Sequence, residues 1–228
     1  LSLKAVKKQR HYIFIDEIAM LKNWQKGINF LIKANKLTSA VAVLSASSLT
    51  ENKFNNIKNI FIDNLSFSEF GSLINPELFK NLGEENYLLK QNKLEYYLDI
   101  YFLTGGFISA INNYKEHGSV RQNIYSGFLH WFLIQIAKSN RDIALARQII
   151  ERLILNLGQP VGYQTLTHKT KAKTHLTAAE YLNILESTLA IKTVYQSNGG
   201  EVSSRKAKKV YFRDQFIFWL FYSYIYGS

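Results

Sequence analysis

Asp16 and Glu17 follow directly on Tyr12-Ile13-Phe14-Ile15, a run of β-branched and aromatic residues. A carboxylate pair at the end of an apolar strand can serve phosphate chemistry. The aspartate can hold a hydrated Mg²⁺ against nucleotide phosphates, and the glutamate can polarise the water that attacks the terminal phosphate. Ser45 and Ser47 follow a second apolar run, Ala40-Val41-Ala42-Val43-Leu44. A polar side chain there can position that water or touch the γ-phosphate. The plainer alternative is that Asp-Glu opens a turn and caps the next helix.

A second group of candidates is cationic: Lys169, Lys171, Lys173, Arg205, Lys206, Lys208, Lys209 and Arg213. Residues 168–213 hold nine Lys and Arg against three Glu, a net +6 out of a chain total of +11. Charge clustered in this way suits contacts to phosphates. The alternative is a solvated basic hairpin that touches protein or nothing. The helix predicted after Lys173 offers Asn183 for base edges but also carries Glu180 and Glu186. Backbone contact with weak sequence preference is therefore the expectation.

The elements that must position these residues follow from periodicity. The runs at 12–15 and 40–44 lack alternation, as strands buried on both faces do, and Trp24, Ile28, Leu31 and Ile32 stand at helical spacing between them. Strand, helix, strand implies a right-handed crossover in a parallel sheet, whose ligands sit at the strands' carboxyl ends. Residues 66–125 read as a small helical bundle broken at Asn75-Pro76 and Gly105-Gly106, with Leu94, Tyr97, Leu98 and Tyr101 as a packing stripe. Ile143, Ala146, Ile150, Leu153 and Leu157 mark a helix over 141–157, stopped by Gly158. A short helix is expected at 162–170. Thr177 to Glu180 fits a capping box opening a third, with Ala178, Leu182, Leu185 and Leu189 as its stripe. Strands at 191–195 and 209–212 flank a turn at 197–200. Three helices and a β-hairpin make a winged helix-turn-helix.

Composition sets the frame. The chain has 228 residues, 47% hydrophobic and 20% charged, which is globular and long enough for two or three modules. Cysteine is absent, which excludes disulfides and thiolate metal sites and fits a reducing compartment; a cytoplasmic location is expected. The most apolar stretch, 216–225, is far shorter than the ~20 residues of a membrane span. The start, Leu1-Ser2-Leu3-Lys4, shows neither an initiator Met nor a signal-peptide pattern, so position 1 is expected to be a boundary or a processing point.

Residues 12–48 resemble the Walker B to sensor-1 portion of prokaryotic, archaeal-type AAA+ ATPases, in which Asp-Glu-Ile precedes a Trp that opens a helix and an apolar strand ends in a Thr-Gly-Ser-Ser-like turn. Asp16, Glu17 and Trp24 match, and 45–48 matches with Ala46 where Gly is usual. Residues 61–70, F-I-D-N-L-S-F-S-E-F, resemble the family's L-S-F-x-E-F stretch, with Asn64 in place of Pro. Leu103-Thr104-Gly105-Gly106-Phe107-Ile108 resembles its G-G-F-P element, with Ile108 in place of Pro, and 211–219, Y-F-R-D-Q-F-I-F-W, its Y-x-x-D-P-x-x-x-F-W element, with Gln215 for Pro. Two further features depart from the pattern. No G-x-x-x-x-G-K-[ST] loop occurs among the twelve glycines, and 55–58 has no arginine where the family tends to place one.

The resemblance implies an α/β partial P-loop parallel sheet, then an all-α lid and a winged helix-turn-helix, helix-rich overall. The expected divisions are 1–65 for the rear of the ATPase core, 66–125 for the lid, 126–213 for the winged helix and 214–228 for an aromatic C-terminal segment. ATP and Mg²⁺, the latter held through water by Asp16, are implied for an intact parent that carries the missing loop. This chain alone is expected to be inactive. The implied partners are DNA, through its backbone, and a protein or second copy met by Phe216, Trp219, Leu220 and Tyr224, with no membrane. Some family members continue into a nuclease-like domain. The rival expectation is a non-enzymatic DNA-binding or protein-interaction module on a degenerate ATPase scaffold.

Overall fold

The computed structural model describes residues 11–15, 18, 23–34, 40–44, 62–80, 84–198, 201–202 and 206–227. The chain divides into two compact units, Leu1–Ile57 and Lys58–Ser228.

In the first unit, strand β1 (His11–Ile15) pairs in parallel with β2 (Ala40–Leu44), from His11 opposite Ala40 to Ile15 opposite Leu44. Helix α1 (Trp24–Lys33) connects them, as a parallel pair requires, and turns Ile28 inward. One expectation needs correcting. Burial of the first strand on both faces fails at Phe14, which is 74% exposed. The described residues supply only two strands and one helix here, and these leave that side of the strand uncovered.

The second unit is helix-rich. Ser66 and Glu69 form a reciprocal capping box that opens α2 (Phe67–Ile74). Asn75 ends α2 by donating its N–H to the Gly71 carbonyl, and its side chain accepts from Leu78 N–H to open α3 (Pro76–Phe79). Two helices thus share one cap, and Pro76 stands where its missing N–H costs nothing. Gly71 is required by packing, because a Cβ there would overlap the Phe79 ring. Helix α4 (Glu84–Thr104) lays Leu94, Tyr97 and Tyr101 on this pair, and the Tyr101 ring meets Phe67 and Phe70 at 5.6 and 5.4 Å. The stripe packs as its spacing suggests, with Leu94 buried and Tyr97 and Tyr101 half-buried against the core clusters.

After the Gly105-Gly106 turn come α5 (Ile108–His117), α6 (Gln122–Lys138), α7 (Ile143–Leu155), α8 (Tyr163–Thr167) and α9 (His175–Ser187). Asp142 caps α7 by accepting from Ala144 N–H at 2.7 Å. Strand β3 (Ile191–Tyr195) pairs antiparallel with β6 (Lys208–Phe212), and the tip between them carries the short strands β4 (Ser197–Asn198) and β5 (Glu201–Val202). Val161, just before α8, bridges Lys208 with hydrogen bonds in both directions, adding a one-residue third rung to the hairpin. Helix α10 (Gln215–Tyr226) closes the chain. One continuous core joins α6, α7, α9, the hairpin and α10 around Phe132, Ile149, Ile150, Leu182, Val210 and Phe221.

Two further readings change. The capping box at Thr177 is not formed: α9 begins at His175, Thr174 stands at the cap position, and Glu180 pairs with Arg141 at 3.0 Å. Of the aromatic C-terminal residues expected to meet a protein or second copy, Phe216 and Leu220 are buried within the second unit, together with Ile217, Phe221 and Ile225. Their side chains complete the core laid down by α6 and α7. Among the described residues, no helix is long and apolar enough to cross a membrane.

Candidate nucleic-acid interface

The turn between α8 and α9 presents Lys169, Lys171 and Lys173, all exposed. Its backbone is fixed by its own polar residues. Thr167 Oγ1 donates to the Tyr163 carbonyl, Thr170 Oγ1 donates to the Thr167 carbonyl at 2.8 Å, and Ala172 N–H donates to Thr170 Oγ1. Lys171 N–H donates to Gln148 Oε1 of α7 at 2.8 Å, and Lys169 adopts a left-handed φ of 56° that bends the chain. The ammonium groups are thus carried on a turn pinned to the core.

Helix α9 sits next to that turn and is anchored by Tyr181, whose hydroxyl donates to the Asp142 carbonyl at 2.8 Å. Its outward residues are His175, Leu176, Glu180 and Asn183. The two carboxylates expected to repel phosphates are both engaged: Glu180 with Arg141, and Glu186 as acceptor from Thr193 N–H at 3.1 Å.

The hairpin sorts its cations by parity. Lys192 and Lys209 lie on its exposed face, and Lys206 is exposed at the tip. Lys208 does not belong with them. It is 1% exposed, and its ammonium lies 3.2 Å from the centroid of the Tyr163 ring and 5.6 Å from that of Tyr195. A cation held over aromatic faces inside the fold is stabilised by the ring quadrupole and is withdrawn from any surface ligand. Its expected role as a nucleic-acid contact is corrected on that ground. Arg213 is also committed, with its guanidinium at 2.7 and 2.8 Å from the two oxygens of Asp63. Arg205 lies outside the described residues, as do Asp16, Glu17, Ser45 and Ser47.

Beside the hairpin's exit is a polar knot that sequence reasoning missed. Asp214 caps α10 by accepting from Phe216 N–H at 2.8 Å, while its second oxygen accepts from Gly106 N–H at 2.9 Å and from the Asn64 amide at 3.2 Å. Burial pushes this carboxyl above the usual carboxylate range, and the three donors pull the other way. Leu65 N–H donates to the Gly106 carbonyl and Tyr101 Oη donates to the Leu65 carbonyl. Three of the four landmarks behind the family resemblance therefore meet at one place. An Asp directly before an apolar helical run is a cap signal that could have been read locally. Its partners Gly106 and Asn64 had no such signal.

Residues 95–220, more than half of the chain, match a protein family described as a domain of unknown function, DUF8612. The chain belongs to this family. The DUF8612 span begins within α4 and ends within α10, so it takes in Gly106, the lysine-bearing turn, the hairpin and Asp214, whereas Asp63 and Asn64 precede it. Neither the curated proteins nor the solved structures give a match.

Proposed function

We propose that residues 143–212 act as a winged helix that binds nucleic acid through its phosphate backbone. The observation that carries this reading is the α8–α9 turn: three exposed lysines on a backbone locked to α7, directly before the helix that would enter a groove. The order helix, bridge, helix, helix, hairpin, with Val161 paired to the returning strand, supports it, as do Lys192, Lys206 and Lys209 on the hairpin. Helix α9 offers Asn183 and an apolar Leu176 but no Arg, Lys or Gln, so phosphate contacts dominate over base reading.

A gel-shift series between low and moderate salt on a 20-base-pair duplex tests this. Wild type should lose affinity steeply with salt. Replacing Lys169, Lys171 and Lys173 together with alanine should flatten the slope of log K against log salt by about 3, close to one unit per phosphate contact. No shift at low salt, or an unchanged slope in the triple variant, would sink the reading.

The first unit fits the rear of a P-loop ATPase core in this reading. Support comes from the resemblance at Asp16, Glu17 and Trp24, from two parallel strands that end in register immediately before Asp16 and Ser45, and from the bare faces of Phe14 and Phe30, 74% and 70% exposed, which suit a larger sheet. In an intact parent Asp16 would hold Mg²⁺ through water, Glu17 would act on the attacking water, and Ser45 and Ser47 would face the γ-phosphate. ATP and Mg²⁺ would be its cofactors. The chain has no G-x-x-x-x-G-K-[ST] loop to cradle phosphates, so the residues present supply no hydrolytic step of their own.

A further inference from the structure

The second unit contains a cavity of about 520 Å³, lined by no residue of the lysine-bearing turn or of the hairpin strands. Its size falls in the range of small-molecule sites, roughly 300–1,000 Å³. Phe107, Phe128 and Trp131 give it aromatic walls, and Ile124, Leu189 and Ile217 give aliphatic ones. The polar groups at its edge are largely spoken for. Asp63 is paired with Arg213 and the Asn64 amide donates to Asp214, while Thr188 Oγ1 donates to the carbonyls of Ile184 and Leu185. Asn123 is exposed and adds an amide that can both donate and accept.

We propose that this cavity is a binding site for a small, uncharged, largely aromatic or aliphatic molecule carrying one hydroxyl or amide. The apolar walls supply the driving force by removing nonpolar surface from water. A charged ligand is disfavoured, because its charge would leave water with no unpaired counter-charge to meet it. The single polar group would sit at the Asn123 edge. Gly127 marks the wall between Ile124 and Trp131, on α6. A Cβ built there meets nothing within 4 Å, so a side chain at this position enters open space without displacing the backbone. This inference does not depend on nucleic-acid binding.

The test uses the full chain, methyl-labelled at Ile and Leu, titrated with 4-hydroxybiphenyl and followed by NMR. Saturable shifts are expected at the methyls of Ile124, Leu189 and Ile217. The exposed Leu88 and Leu89 should stay unmoved. Gly127→Phe should weaken binding by at least about tenfold, a readily measured difference. Its thermal midpoint should be unchanged or raised, since glycine within a helix is a poor helix former. If Gly127→Phe does not fold, Gly127→Leu makes the same test with a smaller plug. The proposal is overturned if shifts fail to saturate, if they spread equally to Leu88 and Leu89, or if a folded plugged variant binds as wild type does.

Discussion

The carboxylate of Asp214 accepts the backbone N–H of Gly106 at 2.9 Å, joining positions 108 residues apart in the chain. The contact needs a glycine beside it. Gly105 has φ +56°, and a Cβ there would overlap the Asp214 carboxylate. At Gly106 a Cβ would overlap the Leu65 carbonyl. Backbone conformation and side-chain space thus select the same dipeptide. Asp214→Ala removes a helix cap and leaves the Gly106 N–H buried without its acceptor. We expect a loss of about 2–4 kcal/mol in urea denaturation. Gly105→Ala should cost on the order of 2–3 kcal/mol by strain and displacement of the same carboxylate. Near wild-type stability in both variants would show that the knot contributes little.

The lysines of the hairpin should separate in a single experiment. Lys209 is exposed and Lys208 lies over the Tyr163 ring. Lys209→Ala should lower the salt slope of nucleic-acid binding by close to one unit. Lys208→Met should leave that slope unchanged and instead lower stability by roughly 0.5–2 kcal/mol, the scale of a desolvated cation–π contact. The reverse pattern would place Lys208 at the interface.

The Lys208 case also shows what was legible beforehand and what was not. Period-two alternation puts Lys208, Val210 and Phe212 on one side of β6, so Val210 facing the core already implied that Lys208 does too. A strand that begins at 209 leaves Lys208 outside this alternation. The strand at 40–44 and the helix at 24–33 lie close to where composition and spacing put them, because apolar β-branched runs and 3.6-residue stripes are local signals. The start of α9 was misplaced for an opposite reason. The Thr177-to-Glu180 spacing satisfies a local rule, but Arg141, held beside α9 by tertiary packing, takes the Glu180 carboxylate instead. Asn64 and Asp63 could not be assigned at all, since their partners lie 150 residues away.

Tyr101 offers a pH test of the same region. Its hydroxyl donates to the Leu65 carbonyl at 2.8 Å. Burial, then the nearby carboxylates of Asp214 and Glu69, push its pKa up to about 12. A raised folded-state value means that the stability it contributes is fully present below the unfolded tyrosine value of about 10 and is lost as pH rises through about 12. Spectrophotometric titration at 295 nm should show a late tyrosinate step that Tyr101→Phe removes. Loss of an early step instead would contradict the buried, donating hydroxyl.

The pairing of Asp63 with Arg213 and of Asn64 with Asp214 has a mechanical meaning. The strand of chain entering the second unit is riveted to the two residues that leave the hairpin. Tension applied at that entrance would bear on these bonds before it reaches α2. A pull from the amino-terminal side is thereby delivered to the foot of the basic hairpin.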